Sequence, residues 1–147
     1  MRAMMLNKAT TQTQAGVPSR ALNIALWILQ GLLAVVFLLH GWLMVAPPAE
    51  MVAMINAQLG AGFRVFIGVA ELLAVVGLLL PGITRILPFM TAVAAAGLMI
   101  VMGSATLFHL IRGENASAIS AVVLFVLVTV VAYARWKVAP IAPRERA

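Results

Sequence analysis

Glu71 stands inside the run GFRVFIGVAELLAVVGLLLPG, residues 62–82, seven positions after Arg64. Seven residues is two helical turns, so both side chains share a face, and Gly68 between them puts nothing in the way. Three more polar side chains stand near the ends of other apolar runs: His40, His109 and Thr106, the last one turn before His109. A carboxylate and imidazoles are the groups that hold and pass protons near neutral pH. The chemistry within reach is proton exchange with a hydrogen-bonding ligand, with Glu71 and His109 moving the proton and His40, Arg64 and Thr106 contacting the ligand. Each residue also has a plainer role. An intramembrane glutamate can simply join helices, at about 0.6 kcal/mol for an average interhelical polar contact, and a histidine near a helix end can be an interfacial hydrogen-bonding group. For Glu71 the residues alone leave both readings open.

These residues need elements to position them, and composition decides which kind. Of 147 residues 64% are hydrophobic and 10% charged, and the mean hydropathy is +1.10. Soluble domains lie nearer half apolar and a quarter charged, so the chain is a membrane protein. Four apolar segments, 21–46, 63–80, 86–111 and 116–134, have about the 17–25 residues that a helix needs to cross the hydrocarbon. Their backbone groups must be satisfied within each segment, which requires helices. The expected fold is an all-α membrane protein: a four-transmembrane-helix bundle over 21–136, with a flexible cytoplasmic tail at 1–20 and a second at 137–147. The tail at 1–20 does not read as a cleavable signal peptide, because the apolar run after it is too long.

The connections differ in kind. Residues 47–62 open with Pro47-Pro48, then place Met51, Met54, Ile55 and Gln58 or Leu59 at helical spacing. They predict a short amphipathic helix on the membrane surface, between the first and second helices. PGITR, 81–85, predicts a tight turn that ends the second helix, and Asn115 or Ser117 is the expected cap of the fourth. Ala70/Ala74 and Ala92/Ala96 predict close helix packing. Gln30 and Asn23 read as packing groups, and Met99, Met102, Met51 and Met54 as core filler.

Eight of the ten basic residues, Arg2, Lys8, Arg20, Arg85, Arg135, Lys137, Arg144 and Arg146, fall on the side of both termini. Arg64 and Arg112 fall on the other. The positive-inside rule therefore predicts cytoplasmic termini, and the excess of +6 serves topology and anionic headgroups. No nucleic-acid motif accompanies it. On this topology Glu71 lies ~12 Å inward from Phe63 and His40 ~10 Å from Pro47 at 1.5 Å per residue. Arg64, Glu71, His40 and His109 are thus expected to share a polar pocket in the outer half. Cysteine is absent, which removes disulfide, thiolate and Cys-x-x-C redox chemistry. No metal site is predicted. Haem is expected absent, since two histidines on different helices at different depths are a poor ligand pair.

The core G-x-x-E-L with its G-L-x-L-P-G ending, and AGLMIVMGSATLFHLIRGE with its histidine before a charged turn, resemble the DoxX-like family of small bacterial four-helix inner-membrane proteins. The resemblance covers roughly residues 22–136, and Arg64, Glu71 and His109 match positions typical of the family. Many members have a lysine three residues after the first helix's glycine; here HGWLM has Met44, so a site using that lysine would be incomplete unless His40 substitutes. The family is named for a subunit of a thiosulfate:quinone oxidoreductase, which implies a quinone-linked component. The alternatives are a non-enzymatic membrane anchor or assembly subunit, alone or as a homo-oligomer, and a small-solute carrier.

Overall fold

Long apolar segments cannot leave backbone groups unpaired in hydrocarbon, and the chain satisfies them as helices. The computed structural model describes residues 19–144; the tail expected over 1–20 lies outside them as far as residue 18. In order come α1 (Arg20–Val45), α2 (Ala49–Leu59), α3 (Ala61–Thr84), α4 (Met90–Ile111) and α5 (Asn115–Tyr133), and α5 runs on into a π-helical turn, Ala134–Val138. Four helices are long and apolar enough to span a membrane, and α2 is the short helix between the first two spans. There are no strands among the described residues.

The helices alternate in direction. The start of α1, the end of α3, the start of α4 and the end of α5 share one end of the bundle, the termini side. The far side carries α2 and the α4–α5 turn. The main contacts run α1–α3, α3–α4 and α4–α5, and α5 returns to α1 more lightly. Only 22–28% of each span is buried, so most side chains look outward. Exposed Leu39, Phe66, Leu73, Ile100 and Ile119 are what a lipid-facing surface requires.

The main core is an apolar layer at mid-height, with a smaller cluster of Leu26, Ala134 and Ala139 on the termini side. Leu33 and Phe37 of α1 meet Leu78 of α3, Ala95, Leu98 and Met102 of α4, and Val128 and Val131 of α5. Gly77 faces Ala94 so closely that a Cβ on the glycine would lie 2.6 Å from the alanine's. Small residues do bring α3 and α4 together: of the expected alanines Ala92 is buried and Ala74 packs against the core, whereas Ala96 is exposed and the closest approach is Gly77 on Ala94.

Helix ends explain most differences from expectation. Ser19 Oγ accepts from the Leu22 amide at 3.2 Å and caps α1. Gly60, at φ 78°, ends α2 and begins α3 without an intervening loop, a conformation that glycine adopts without penalty. Within α2 only Ile55 is buried, while Met54 is exposed. The turn expected at Pro81-Gly82 is absent. α3 continues through Pro81 to Thr84 and stops at Arg85 in the left-handed region, because a span in lipid gains more from continued pairing than it loses at one proline. Neither Asn115 nor Ser117 caps α5; the cap position is Glu114, with no side-chain cap bond.

Residues expected as a C-terminal tail from 137 onward instead fold across the termini side. Ala139 is buried, and its amide donates to the Ala134 carbonyl at 2.7 Å. Ile141 approaches Gly82, and the Arg144 amide donates to the Arg85 carbonyl at 3.1 Å. This strap joins α5 to the α3–α4 connection.

Candidate functional site

On the far side, α1 and α3 approach until their backbones nearly touch. A Cβ on Gly68 would lie 2.7 Å from the Gly41 carbonyl oxygen, and one on Gly41 would lie 3.0 Å from that of Gly68. Two glycines facing each other are what lets two helices come this close. His40 precedes Gly41, and Glu71 follows Gly68 by one turn, so this contact sets the distance between them.

The result is a hydrogen bond of 2.6 Å between His40 Nδ1 and Glu71 Oε2. The partners differ sharply in environment. Glu71 is fully buried, whereas the His40 side chain is 47% exposed. Glu71 Oε1 is buried and has no hydrogen-bond partner. A lone carboxylate within a span costs ~2.5–3.5 kcal/mol on insertion scales, so the imidazole is what makes Glu71 tolerable here. The carboxylate in turn fixes the ring through Nδ1, as second-shell carboxylates do for functional histidines. Nε2 is left as the position at which this ring can meet another group. An outer ligand can therefore exchange a proton with His40, and Glu71 can hold it behind.

The other expected site residues are engaged elsewhere. Arg64 does not bond Glu71. It turns toward the end of α1, where its guanidinium donates to the Met44 carbonyl, to the Val45 carbonyl at 3.4 Å and to Asn56 Oδ1 of α2 at 2.9 Å. A cation on the last carbonyls of a helix complements its macrodipole, and the Asn56 bond pins α2. His109 bonds Glu114 Oε2 at 2.6 Å through Nδ1, and Arg112 Nε donates to Glu114 Oε1 at 2.7 Å. Arg112 first, then His109, hold the Glu114 carboxyl below the usual carboxylate range. Thr106 donates to the Met102 carbonyl of its own helix at 2.8 Å. The single pocket expected for Arg64, Glu71, His40 and His109 is thus resolved by its hydrogen bonds into three groups: the His40–Glu71 dyad, an arginine clasp on α1 and α2, and a charged latch at the α4–α5 turn. The two histidines are committed to different glutamates.

A second polar layer, on the termini side, escaped the sequence reading. Arg135 is 4% exposed. Its Nε donates to Gln30 Oε1 at 2.6 Å, and one terminal nitrogen donates to Asn23 Oδ1 at 2.7 Å and to the Ala139 carbonyl at 3.2 Å. Gln30 Nε2 donates onward to the Leu78 carbonyl at 2.8 Å, and the guanidinium stands 5.4 Å from the Trp27 ring centroid. Gln30 and Asn23 do join helices, as their types suggested. Arg135 gave no signal apart from its sequence position one residue before Trp136, which a topology-setting arginine would share. Among the described residues no group of three or more metal-ligating side chains occurs.

A family model described as the DoxX-like family matches residues 28–131. No curated protein and no solved structure was found to match the chain.

Proposed function

The chain belongs to the DoxX-like family, and from that premise we propose that it presents a proton-exchanging His40–Glu71 dyad to the headgroup of a lipid-soluble ligand of the quinone class. One observation carries the reading: a fully buried carboxylate bonded at 2.6 Å to an imidazole that is 47% exposed on a lipid-facing surface. The residues fit such a headgroup, which needs a hydrogen-bond partner at the lipid boundary and a nearby reservoir for its proton. A quinone would supply the electron chemistry when bound. His40 offers Nε2 to the ligand oxygen, Nδ1 stays with Glu71, and the buried carboxylate takes or returns the proton without leaving its place. Val36 and Leu39, both exposed on α1 beside His40, provide apolar contact. His109 has a structural role in this reading.

The proposal includes a bacterial inner-membrane location with both termini cytoplasmic, supported by eight of ten basic residues on the termini side. Impermeant labelling of cysteines introduced at the tails of intact cells should fail, and labelling would reverse the orientation.

Quinone binding by the purified protein in nanodiscs, followed by tryptophan quenching from pH 5 to 8, tests the function. The wild type should bind with a pH-dependent affinity, Glu71→Gln should bind without that dependence, and His40→Leu should lose at least tenfold. Absence of binding, or identical curves for all three proteins, would sink the reading. A second reading, an anchor for a partner subunit, is favoured by a shallow apolar groove between α4 and α5 lined by Leu110, Ala118, Ile119, Val122 and Val123. A stoichiometric partner retained in mild detergent, with no bound quinone, would support it.

A further inference from the structure

The described charges divide unevenly between the two ends. Glu50, Glu71 and Glu114 all belong to the far side, where Arg64 and Arg112 accompany them. The termini side holds Arg20, Arg85, Arg135, Lys137 and Arg144, with no acid among the described residues. Two of these arginines are set side by side by the fold. The strap leaves α5 at Ala139, where Arg135 donates to its carbonyl, and its Ile141 reaches Gly82 beside Trp27. A Cβ on Gly82 would meet Trp27 at 2.8 Å and Ile141 at 2.9 Å. It ends with the Arg144 amide on the Arg85 carbonyl. Arg85 itself is held in the left-handed region, at φ 58°, a conformation a non-glycine residue adopts only when its surroundings fix it.

Both arginine side chains are exposed, and at the same end of the bundle the nearly fully buried Arg135 keeps one terminal nitrogen without a partner. Like charges gathered at a hydrocarbon boundary repel more strongly than in water, so an anion seated between these two guanidinium groups would be stabilising. The level and surroundings of the pair say which. Arg85 directly follows the last residue of the α3 span, Thr84, which is headgroup height. Exposed Ile83, Ile86, Leu87 and Phe89 flank it on the same connection, an apolar apron that a free anion would not use and acyl chains would.

We propose that the Arg85–Arg144 junction binds the phosphate of one anionic phospholipid, with its chains on the apron from Ile83 to Phe89. Paired guanidinium groups bind phosphate oxygens in charge-assisted, often bidentate, geometry. This site is separate from the dyad and does not depend on its function.

Native mass spectrometry of the full chain, with phosphatidylglycerol or phosphatidylcholine titrated into a neutral detergent, tests it. Phosphatidylglycerol should saturate at one lipid per chain and bind about tenfold more tightly than phosphatidylcholine, a ratio that one charge-assisted contact supplies. Arg85→Gln with Arg144→Gln should abolish the preference, while Lys137→Gln, at an exposed cation of the same end, should keep it. Equal retention of both lipids, an equal loss in Lys137→Gln, or displacement of the lipid by millimolar inorganic phosphate would each overturn the proposal. If the double variant does not fold, the wild-type titration still decides: uptake without saturation at one lipid means diffuse charge and overturns it.

Discussion

Placing a methyl group on Gly68 tests whether the α1–α3 contact sets the dyad. The new Cβ would stand 2.7 Å from the Gly41 carbonyl oxygen and 2.8 Å from both Met44 Cβ and Val45 Cγ2. The first obstacle is backbone and cannot rotate away. Restoring an ordinary contact of about 3.4 Å requires the helices to part by roughly 0.7 Å. Applied to the His40–Glu71 bond of 2.6 Å, the same displacement gives about 3.3 Å, beyond the usual hydrogen-bond range. Overpacking of this kind costs about 1–3 kcal/mol, against at most about 1 kcal/mol gained from alanine's helix propensity. The expected net loss for Gly68→Ala is about 0–2 kcal/mol, together with loss of pH-dependent ligand binding. Gly31→Ala on α1 is the control, because nothing lies within 4 Å of its added Cβ; it should be neutral or stabilising. Thermal unfolding in bicelles and quinone binding across pH read both effects. A Gly68→Ala protein as stable as Gly31→Ala, with the wild-type pH profile, would refute the idea that glycine contact sets the dyad.

Arg135→Ala leaves Gln30 Oε1 and the Ala139 carbonyl without their donor, at about 1–3 kcal/mol for each buried group; a loss below 1 kcal/mol by thermal unfolding would contradict a central role for this arginine. Glu114, held below its ordinary value of 4.5 by Arg112 and His109, contributes to the α4–α5 turn above that value, and the contribution is lost as pH falls through the lowered one. Amide exchange in the turn should therefore rise only in acid, and Glu114→Gln should remove the pH dependence; an unchanged profile in that variant would assign the effect elsewhere. In proteoliposomes given a pH step the protein should add no proton leak, and a leak abolished by Glu71→Gln would show a path through the bundle.

The spans were legible because membrane insertion is read from hydropathy summed over some 20 residues, and local exceptions do not alter that sum. The four-span bundle and the interior placement of Glu71 follow from it, and the short helix before α3 was legible from the helical spacing after Pro47-Pro48. Partner choice was not legible. Arg64 shares a helical face with Glu71, yet the last carbonyls of α1 also need donors, and the guanidinium goes to them. His109 lies five residues before Glu114, close enough to pair once Gly113 turns the chain at φ 71°; spacing that ignored the turn aimed it at Glu71. Pro81 failed as a stop signal because rules drawn from soluble helices undervalue backbone pairing in lipid. Arg135 stayed hidden because burial of a span-end arginine depends on the strap after it, and the strap has no periodicity.

What separates the two polar layers bears on the chemistry as much as the layers do. Glu71 and the Leu78 carbonyl that receives Gln30 are seven residues apart on α3, about 10 Å along the axis. That interval is closed by Phe37, Leu33, Leu78 and Leu98, each no more than 2% exposed. The hydroxyls of Thr106 and Thr129 donate to carbonyls of their own helices, so they offer no continuous bridge. A proton on Glu71 thus has His40 as its hydrogen-bond partner and a buried apolar layer behind it. On the proposed function, exchange through the dyad would return to the far side or to the ligand, with the unpartnered Oε1 as the atom that holds the proton meanwhile. The Arg135 layer, tied to α1, α3 and the strap, holds the opposite end shut. If the dyad exchanges protons as proposed, this arrangement confines the exchange to one face of the membrane, which is why no proton leak is expected.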